Sequence, residues 1–106
     1  MAIELNDMEV EYAKDDLDSL ANDAEIDGGF AQAVVKAYRK RVQFIKGATD
    51  ERDFYAMRSL HFEKLKGSRA HQRSMRLNDQ WRLILEIVPG DPKNIVRIVE
   101  IKDYHR

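Results

Sequence analysis

The spacing of hydrophobic residues changes near the middle of the chain. Residues 30–46 carry apolar side chains three or four positions apart, which predicts an amphipathic helix that ends at Gly47. The predicted apolar stripe consists of Phe30, Val34, Tyr38, Val42 and Ile45. From residue 57 onward apolar and polar residues alternate, which indicates β-strands.

Four strands are predicted in the second half, at residues 60–65, 72–77, 81–88 and 94–102. The turn-forming runs 78–80 and 89–93 separate the last three strands. Upstream, residues 8–12 alternate as a short first strand, and residues 15–22 form a short helix. Helices followed by an antiparallel sheet predict an α+β domain, in which the apolar hairpin 81–102 is central.

Length and composition narrow the class of protein. A chain of 106 residues predicts a single domain over residues 1–106, and 43% hydrophobic residues suffice for a core. No apolar run approaches the roughly 20 residues of a membrane span, and the acidic N-terminus lacks signal-peptide character. Without cysteine there is neither a disulfide framework nor a thiolate metal site. A cytoplasmic protein without membrane contact is therefore expected.

The net charge of −1 conceals two oppositely charged parts. Residues 1–30 hold ten acids and one base, Lys14, whereas residues 31–106 hold seventeen bases and nine acids. A charged ligand responds to the local field rather than to the average. Either both parts are simply solvated faces, or the acidic segment lies away from a polyanionic ligand or shields the basic part until a partner binds.

Residues 61–82 concentrate the positive charge. They include six Lys or Arg, two His and two acids, and they alternate like strands. Cations and imidazoles on a rigid sheet suit the phosphate backbone of nucleic acid. A second polar cluster, Asp103-Tyr104-His105, follows the last predicted strand. Both clusters are compatible with a small nuclease.

Three segments carry a family resemblance: LHFEKLKGSR, SMRLNDQWRLILEI and the terminal VEIKDYH. In order and spacing they resemble HigB-like toxins of the RelE/ParE superfamily, also called plasmid maintenance system killer proteins, over residues 8–105. The resemblance implies a type II toxin that cuts messenger RNA in the ribosomal A site and needs no cofactor. It also implies a microbial-RNase-like fold, with N-terminal helices packed on a curved antiparallel sheet. The implied partner is a helix-turn-helix antitoxin, and a toxin of this kind contacts DNA only indirectly, through that antitoxin.

Cleavage of RNA without a metal requires a base for the 2′-hydroxyl, cations for the phosphate and an acid for the leaving oxygen. By resemblance, Lys66 and Arg82 match the positions that stabilise the phosphate. The RNA or ribosomal backbone is expected to contact Lys64, Arg69, Arg73, Arg76 and His61. Arg76 should share a strand face with Ser74.

The terminal cluster supplies candidates for proton transfer. His105 matches the C-terminal histidine of the motif, and histidine has a reference pKa of about 6.5. Tyr104 can stack on a base or donate its hydroxyl, and Asp103 can orient a partner or accept a proton. The alternative for His105 is a solvated residue beside the chain end.

One position departs from the family pattern. Several HigB proteins have a histidine three residues before the motif lysine, where this chain has Glu63. Glu63 can act as the base, or His61 on the same predicted strand face can replace it. Otherwise a toxin with this sequence would cut weakly. The structural alternative is that Glu63 simply pairs with Lys64 or Lys66.

The remaining motif residues have simpler interpretations. Trp81 is predicted to anchor the core or the sheet edge, and His71 to lie on the surface. Three scattered histidines do not form a metal site. Two alternative functions stay open: a ParE-like inhibitor of DNA gyrase that is not an enzyme, and a nucleic-acid-binding module whose activity is weak or lost.

Overall fold

The computed structural model describes residues 7–104 and confirms the α+β class. Two one-turn 3-10 helices, Arg58–Leu60 and Gly67–Arg69, flank the short second strand. The helices and strands are, in chain order, β1 (Glu9–Tyr12), α1 (Asp15–Asn22), α2 (Gln32–Lys46), α3 (Arg52–Ala56), β2 (Glu63–Lys64), β3 (Arg73–Arg76), β4 (Trp81–Val88) and β5 (Ile95–Asp103).

The five strands form one sheet in the order β1-β5-β4-β3-β2. Strands β2 to β5 are antiparallel neighbours, and the β4–β5 hairpin occupies the centre as predicted. The sheet is nevertheless mixed, because β1 pairs with β5 in parallel. No hairpin joins these two strands, so no turn fixes their relative direction.

The prediction of a strand over residues 60–65 is correct only for the two residues of β2 and wrong for the rest. Leu60 ends a 3-10 turn, and His61 adopts a left-handed conformation with φ of 48°. Leu60 and Phe62 are both buried, but they reach the core from this turn. Periodicity cannot distinguish such a turn from a short strand. The prediction that His61 and Glu63 lie on the same face of one strand therefore fails.

The helices cover one face of the sheet and form the core with it. The predicted stripe of α2 is confirmed, with Tyr38, Val42 and Ile45 buried against the sheet. Phe30 precedes the helix and packs edge-on against Trp81, with ring centroids 5.4 Å apart. This contact confirms Trp81 as an anchor at the border of the core.

The opposite face of the sheet, called the open face below, is largely polar. Arg82 and Glu86 on β4 lie on it, whereas Leu83 and Leu85 between them belong to the core. Glu11 on β1 forms an ion pair of 2.9 Å with Arg97 on β5.

Within residues 7–104, the acids of the N-terminal segment lie on two different parts of the fold, the helical layer and the sheet. The acids of the first turn of α1 are exposed on the helical layer, away from the ion pair that Glu11 makes on the sheet. That the acidic segment shields the basic part of the chain stays a prediction. No helix in the described part of the chain is long and apolar enough to cross a membrane.

Candidate active site

Arg82 on β4 is held firmly at one end of the open face. Its Nε and Nη2 atoms donate to Ser74 Oγ on β3, at 3.1 and 2.9 Å. Nη2 also donates to the backbone oxygen of His61, at 2.6 Å. The left-handed turn at His61 lies directly before Phe62 and β2. The guanidinium is thus oriented by two chain segments outside its own strand.

Tyr104 lies beside the same guanidinium. The Cζ atom of Arg82 is 5.5 Å from the centre of the Tyr104 ring, a cation–π distance. Tyr104 is tied to the turn before β4 by its backbone N–H, which donates to the Gln80 oxygen at 2.6 Å. Half of its surface is exposed, so one part of the ring can still contact a ligand.

These groups surround a shallow pocket of about 180 Å³. Arg76 faces Arg82 directly across the β3–β4 ladder. Like charges in this position repel each other, and a nearby anion relieves the repulsion. Asp79 forms an ion pair with Arg76 but is almost fully exposed. The lining consists of His61, Arg76, Asn78, Asp79, Arg82 and Tyr104.

Arg41 on α2 supports this pocket from the helical side of the sheet. Its Nε atom donates to the backbone oxygen of Arg76 at 3.1 Å. Burial lowers the pKa of Arg41, and the positive charge of Arg76 lowers it further. No motif or spacing in the sequence connects Arg41 with the basic segment, so sequence reasoning missed it.

Comparison with known proteins identifies the family. A family model described as "RelE-like toxin of type II toxin-antitoxin system HigB" matches residues 4–105. The chain belongs to this toxin family. The resemblance seen in the sequence is thereby confirmed, and the partner of such a toxin is an antitoxin.

The fold agrees with that of a solved toxin. The chain is similar to the YoeB/ParE toxin from Agrobacterium tumefaciens, with 14% identity and a TM-score of 0.54. The similarity covers 92% of this chain and 100% of that chain. At this identity the likeness concerns the fold alone. No protein with curated annotation matches the sequence.

The toxin brings together only some of the predicted site residues. Arg82, Arg76, His61 and Tyr104 line one pocket. Glu63 lies opposite Ser74 in the β2–β3 ladder and is exposed, so it borders the Arg82 group without lining the pocket.

The other predicted catalytic residues lie apart from this pocket or outside the described region. Lys66 is exposed two residues after β2, immediately before the 3-10 turn. Asp103 pairs with Trp81 in the ladder, on the helical face, and accepts a hydrogen bond of 3.1 Å from Gln80. His105 lies outside the described residues.

The predicted RNA-binding residues are also separated. Arg69 donates to Gln72 and forms a 3.1 Å ion pair with Glu100 on the open face. Arg73 lies opposite Lys64, on the other side of β3 from Ser74, and donates to backbone oxygens in the preceding loop. Their contact with RNA stays a prediction.

His71 belongs to the surface network rather than to the pocket. Its Nε2 atom lies 3.5 Å from Glu86, which also contacts Arg97. The side chain of His71 is largely exposed, in agreement with a surface residue. Between residues 7 and 104, no three side chains of His, Asp or Glu come together as a metal site requires.

A larger hollow lies elsewhere, between α2 and α3. Its volume is about 650 Å³, and its wall includes Phe44, Ala56 and Met57. Among residues 7–104, Asp53 is the only charged residue lining it. A hollow without a cation or an imidazole does not suit phosphate chemistry, so the smaller pocket at Arg82 is the candidate active site.

Proposed function

We propose that this toxin is an endoribonuclease that cuts messenger RNA on the ribosome, and that the Arg82 pocket is its catalytic centre. The observation that supports the proposal most strongly is the fixed guanidinium of Arg82, held by Ser74 and the His61 oxygen beside an exposed Tyr104. Preorganised donors stabilise developing charge without reorganising during the reaction. The proposed partners are messenger RNA, the ribosomal A site and a helix-turn-helix antitoxin.

The proposed reaction uses side chains only. A base removes the 2′-hydroxyl proton, and the 2′-oxygen attacks the phosphorus. The bond to the 5′-oxygen breaks, a 2′,3′-cyclic phosphate forms, and an acid returns a proton to the leaving oxygen. Arg82 and Arg76 neutralise the charge that grows on the phosphate oxygens. Lys66 is proposed to contribute a further positive charge, on the strength of the motif alone.

Two residues compete for the role of base. We assign it to His61, because this residue lines the pocket and histidine is the side chain that most often serves as a general base. Glu63 lies opposite Ser74 in the β2–β3 ladder and is the second candidate. Protonation of the leaving oxygen is assigned to His105, assisted by Tyr104, as the family motif implies. The motif also implies a part for Asp103, but its carboxylate lies on the helical face and accepts a hydrogen bond from Gln80.

Primer extension on messages in a translating extract tests the proposal. The wild-type toxin should cut within codons only when ribosomes are active. Arg82→Ala should lose about 100-fold or more in cleavage, the usual effect of removing one donor to a transition-state oxyanion. Arg58→Ala is the matched control, because Arg58 is an exposed arginine outside the pocket.

The outcomes separate the possible functions. Equal cleavage by a folded Arg82→Ala variant would remove the pocket from the mechanism. Intact message with the wild-type toxin would refute the nuclease proposal. In that case DNA trapped on gyrase would indicate a ParE-like inhibitor, and its absence a binding module.

The base is identified by two conservative variants. His61→Asn suits the left-handed backbone, which asparagine tolerates, and it keeps the carbonyl that holds Arg82. Glu63→Gln keeps size and removes charge. The variant of the true base should lose cleavage while RNA affinity is retained. A large loss in Glu63→Gln alone would transfer the assignment to Glu63.

A further inference from the structure

Three cations lie in one row across the open face of the sheet. Arg76 on β3 pairs with Arg82 on β4, and Arg82 pairs with Lys102 on β5. Neighbouring strands are about 4.8 Å apart, so the row extends over roughly 10 Å at right angles to the strands. Lys102 lies outside the basic segment 61–82 that the sequence pattern singles out.

The direction of the Lys102 side chain follows from its neighbours in the ladder. Leu83 and Ile101 pair with each other and pack in the core. Arg82 and Lys102, the next pair, must therefore point to the open face. Lys102 is exposed, and its side chain is free to reach a ligand beside Arg82.

The nearby acids do not neutralise this lysine. Glu100, two residues away on the same face, is engaged in the ion pair with Arg69 at 3.1 Å. Asp103 points to the helical face and accepts a hydrogen bond from Gln80. Within residues 7–104, neither Arg82 nor Lys102 takes part in an ion pair.

We propose that Lys102 binds a phosphate next to the one held by Arg82, and that single-stranded RNA crosses β3, β4 and β5 along the row of cations. The row explains why like charges are kept opposite each other, since a polyanion relieves their repulsion. An ammonium group on a flexible stem suits a backbone contact that needs charge but no fixed geometry. This inference rests on the proposed function and adds the path of the RNA.

Equilibrium binding to a short RNA oligonucleotide, blocked against cleavage by 2′-O-methyl groups, tests the path. Affinity is measured over a range of salt concentrations for the wild type and for Lys102→Ala. Each phosphate contact on a single strand contributes about 0.7 to the slope of log affinity against log salt. Lys102→Ala should lower the slope by about that amount, and Lys102→Arg should restore it.

The control is Lys36→Ala, which removes the same charge from the exposed side of α2. Its slope should equal that of the wild type. An unchanged slope in Lys102→Ala would overturn the inference. Equal losses in both variants would also overturn it, because they would reveal a general effect of net charge. So would a wild type without salt-dependent binding.

Binding and cleavage can fail separately. The blocked RNA reports binding without turnover, whereas primer extension reports turnover. If Lys102→Ala lowers the slope but the wild-type toxin leaves messages intact, the RNA path is supported and the nuclease proposal is refuted. If the wild-type toxin cuts messages but Lys102→Ala leaves the slope unchanged, the nuclease proposal is supported and the RNA path is refuted.

Discussion

Removal of the Ser74 hydroxyl gives the sharpest test of how the site is built. Ser74 is only 2% exposed, and its Oγ atom accepts two hydrogen bonds from the Arg82 guanidinium. In Ser74→Ala the guanidinium keeps the His61 oxygen and the Tyr104 ring as its neighbours. The charge of the pocket is unchanged, so the variant changes the orientation of Arg82 and little else.

The size of the effect follows from these contacts. A hydrogen bond to a charged group contributes about 1.5–3 kcal/mol when nothing replaces it. Arg82 is partly exposed, so water can replace part of this loss in the folded protein. We therefore expect stability to fall by about 1 kcal/mol. Cleavage should fall by about 10- to 100-fold, because each 1.4 kcal/mol of lost transition-state stabilisation is a factor of ten.

The assay compares cleavage at saturating toxin with affinity for blocked RNA and with thermal unfolding. Ser74→Ala should lower the maximal rate and leave affinity within about twofold, an order-of-magnitude expectation for a lost orientation. Ser74→Thr keeps a hydroxyl and should recover part of the rate. Ser68→Ala, in the exposed 3-10 turn, is the control for loss of a serine.

One result would refute this reasoning. If Ser74→Ala is folded and cuts at the wild-type rate, the two hydrogen bonds do not position a catalytic group. A loss of rate that only follows the loss of thermal stability would likewise give Ser74 a structural role.

Three further predictions concern stability. Phe54→Ala empties a fully buried position and should cost about 3–5 kcal/mol in urea unfolding, so a loss under about 1 kcal/mol would contradict the described core. Tyr38→Phe removes a 2.7 Å hydrogen bond to the Leu17 oxygen and should cost about 1 kcal/mol at pH 7. Burial raises the pKa of the Tyr38 hydroxyl, so its contribution to stability is intact below about pH 10 and is lost as pH rises above that value. The free energy of unfolding of Tyr38→Phe should therefore fall less in alkali than that of the wild type. Hydrogen bonds from Arg52 lower the pKa of Asp50 from 3.8 to about 2, so this contribution is present above pH 3.8 and is lost as pH falls through 2. In Arg52→Ala the urea midpoint should fall less between pH 5 and pH 2 than it does in the wild type. An equal fall in both proteins would contradict this prediction.

The predictable part of the fold depends on local sequence. Helix α2 follows from its apolar stripe, because the pattern and the helical period agree over four turns. The turn before β4 follows from Asn78, whose side-chain oxygen accepts the backbone N–H groups of Gln80 and Trp81. Such signals lie within a few residues of the structure they determine.

The unpredicted parts depend on contacts between distant residues. The parallel pairing of β1 with β5 joins strands more than 80 residues apart. His61 contributes its backbone oxygen to Arg82, 21 residues later, from a left-handed conformation that no motif announces. The motif identified Arg82 and Tyr104, but it contained no information on the groups that orient them.

The row that includes Lys102 depends on a single extra residue in β5. Val99 has no partner in the ladder, because Ile84 pairs with Glu100 and Leu85 pairs with Ile98. A regular strand counted from Arg97 would turn residues 99, 101 and 103 to the open face and would bury Lys102.

The reason for this bulge is visible in the chain. Ile98 and Ile101 both face the core, and a spacing of three cannot be met by strict alternation. Because Ile98 is buried and the partly buried Ile101 packs against the same core, Lys102, instead of the acid Asp103, turns toward Arg82. The sign of the charge beside the candidate catalytic arginine is thus decided by hydrophobic packing on the opposite side of the strand.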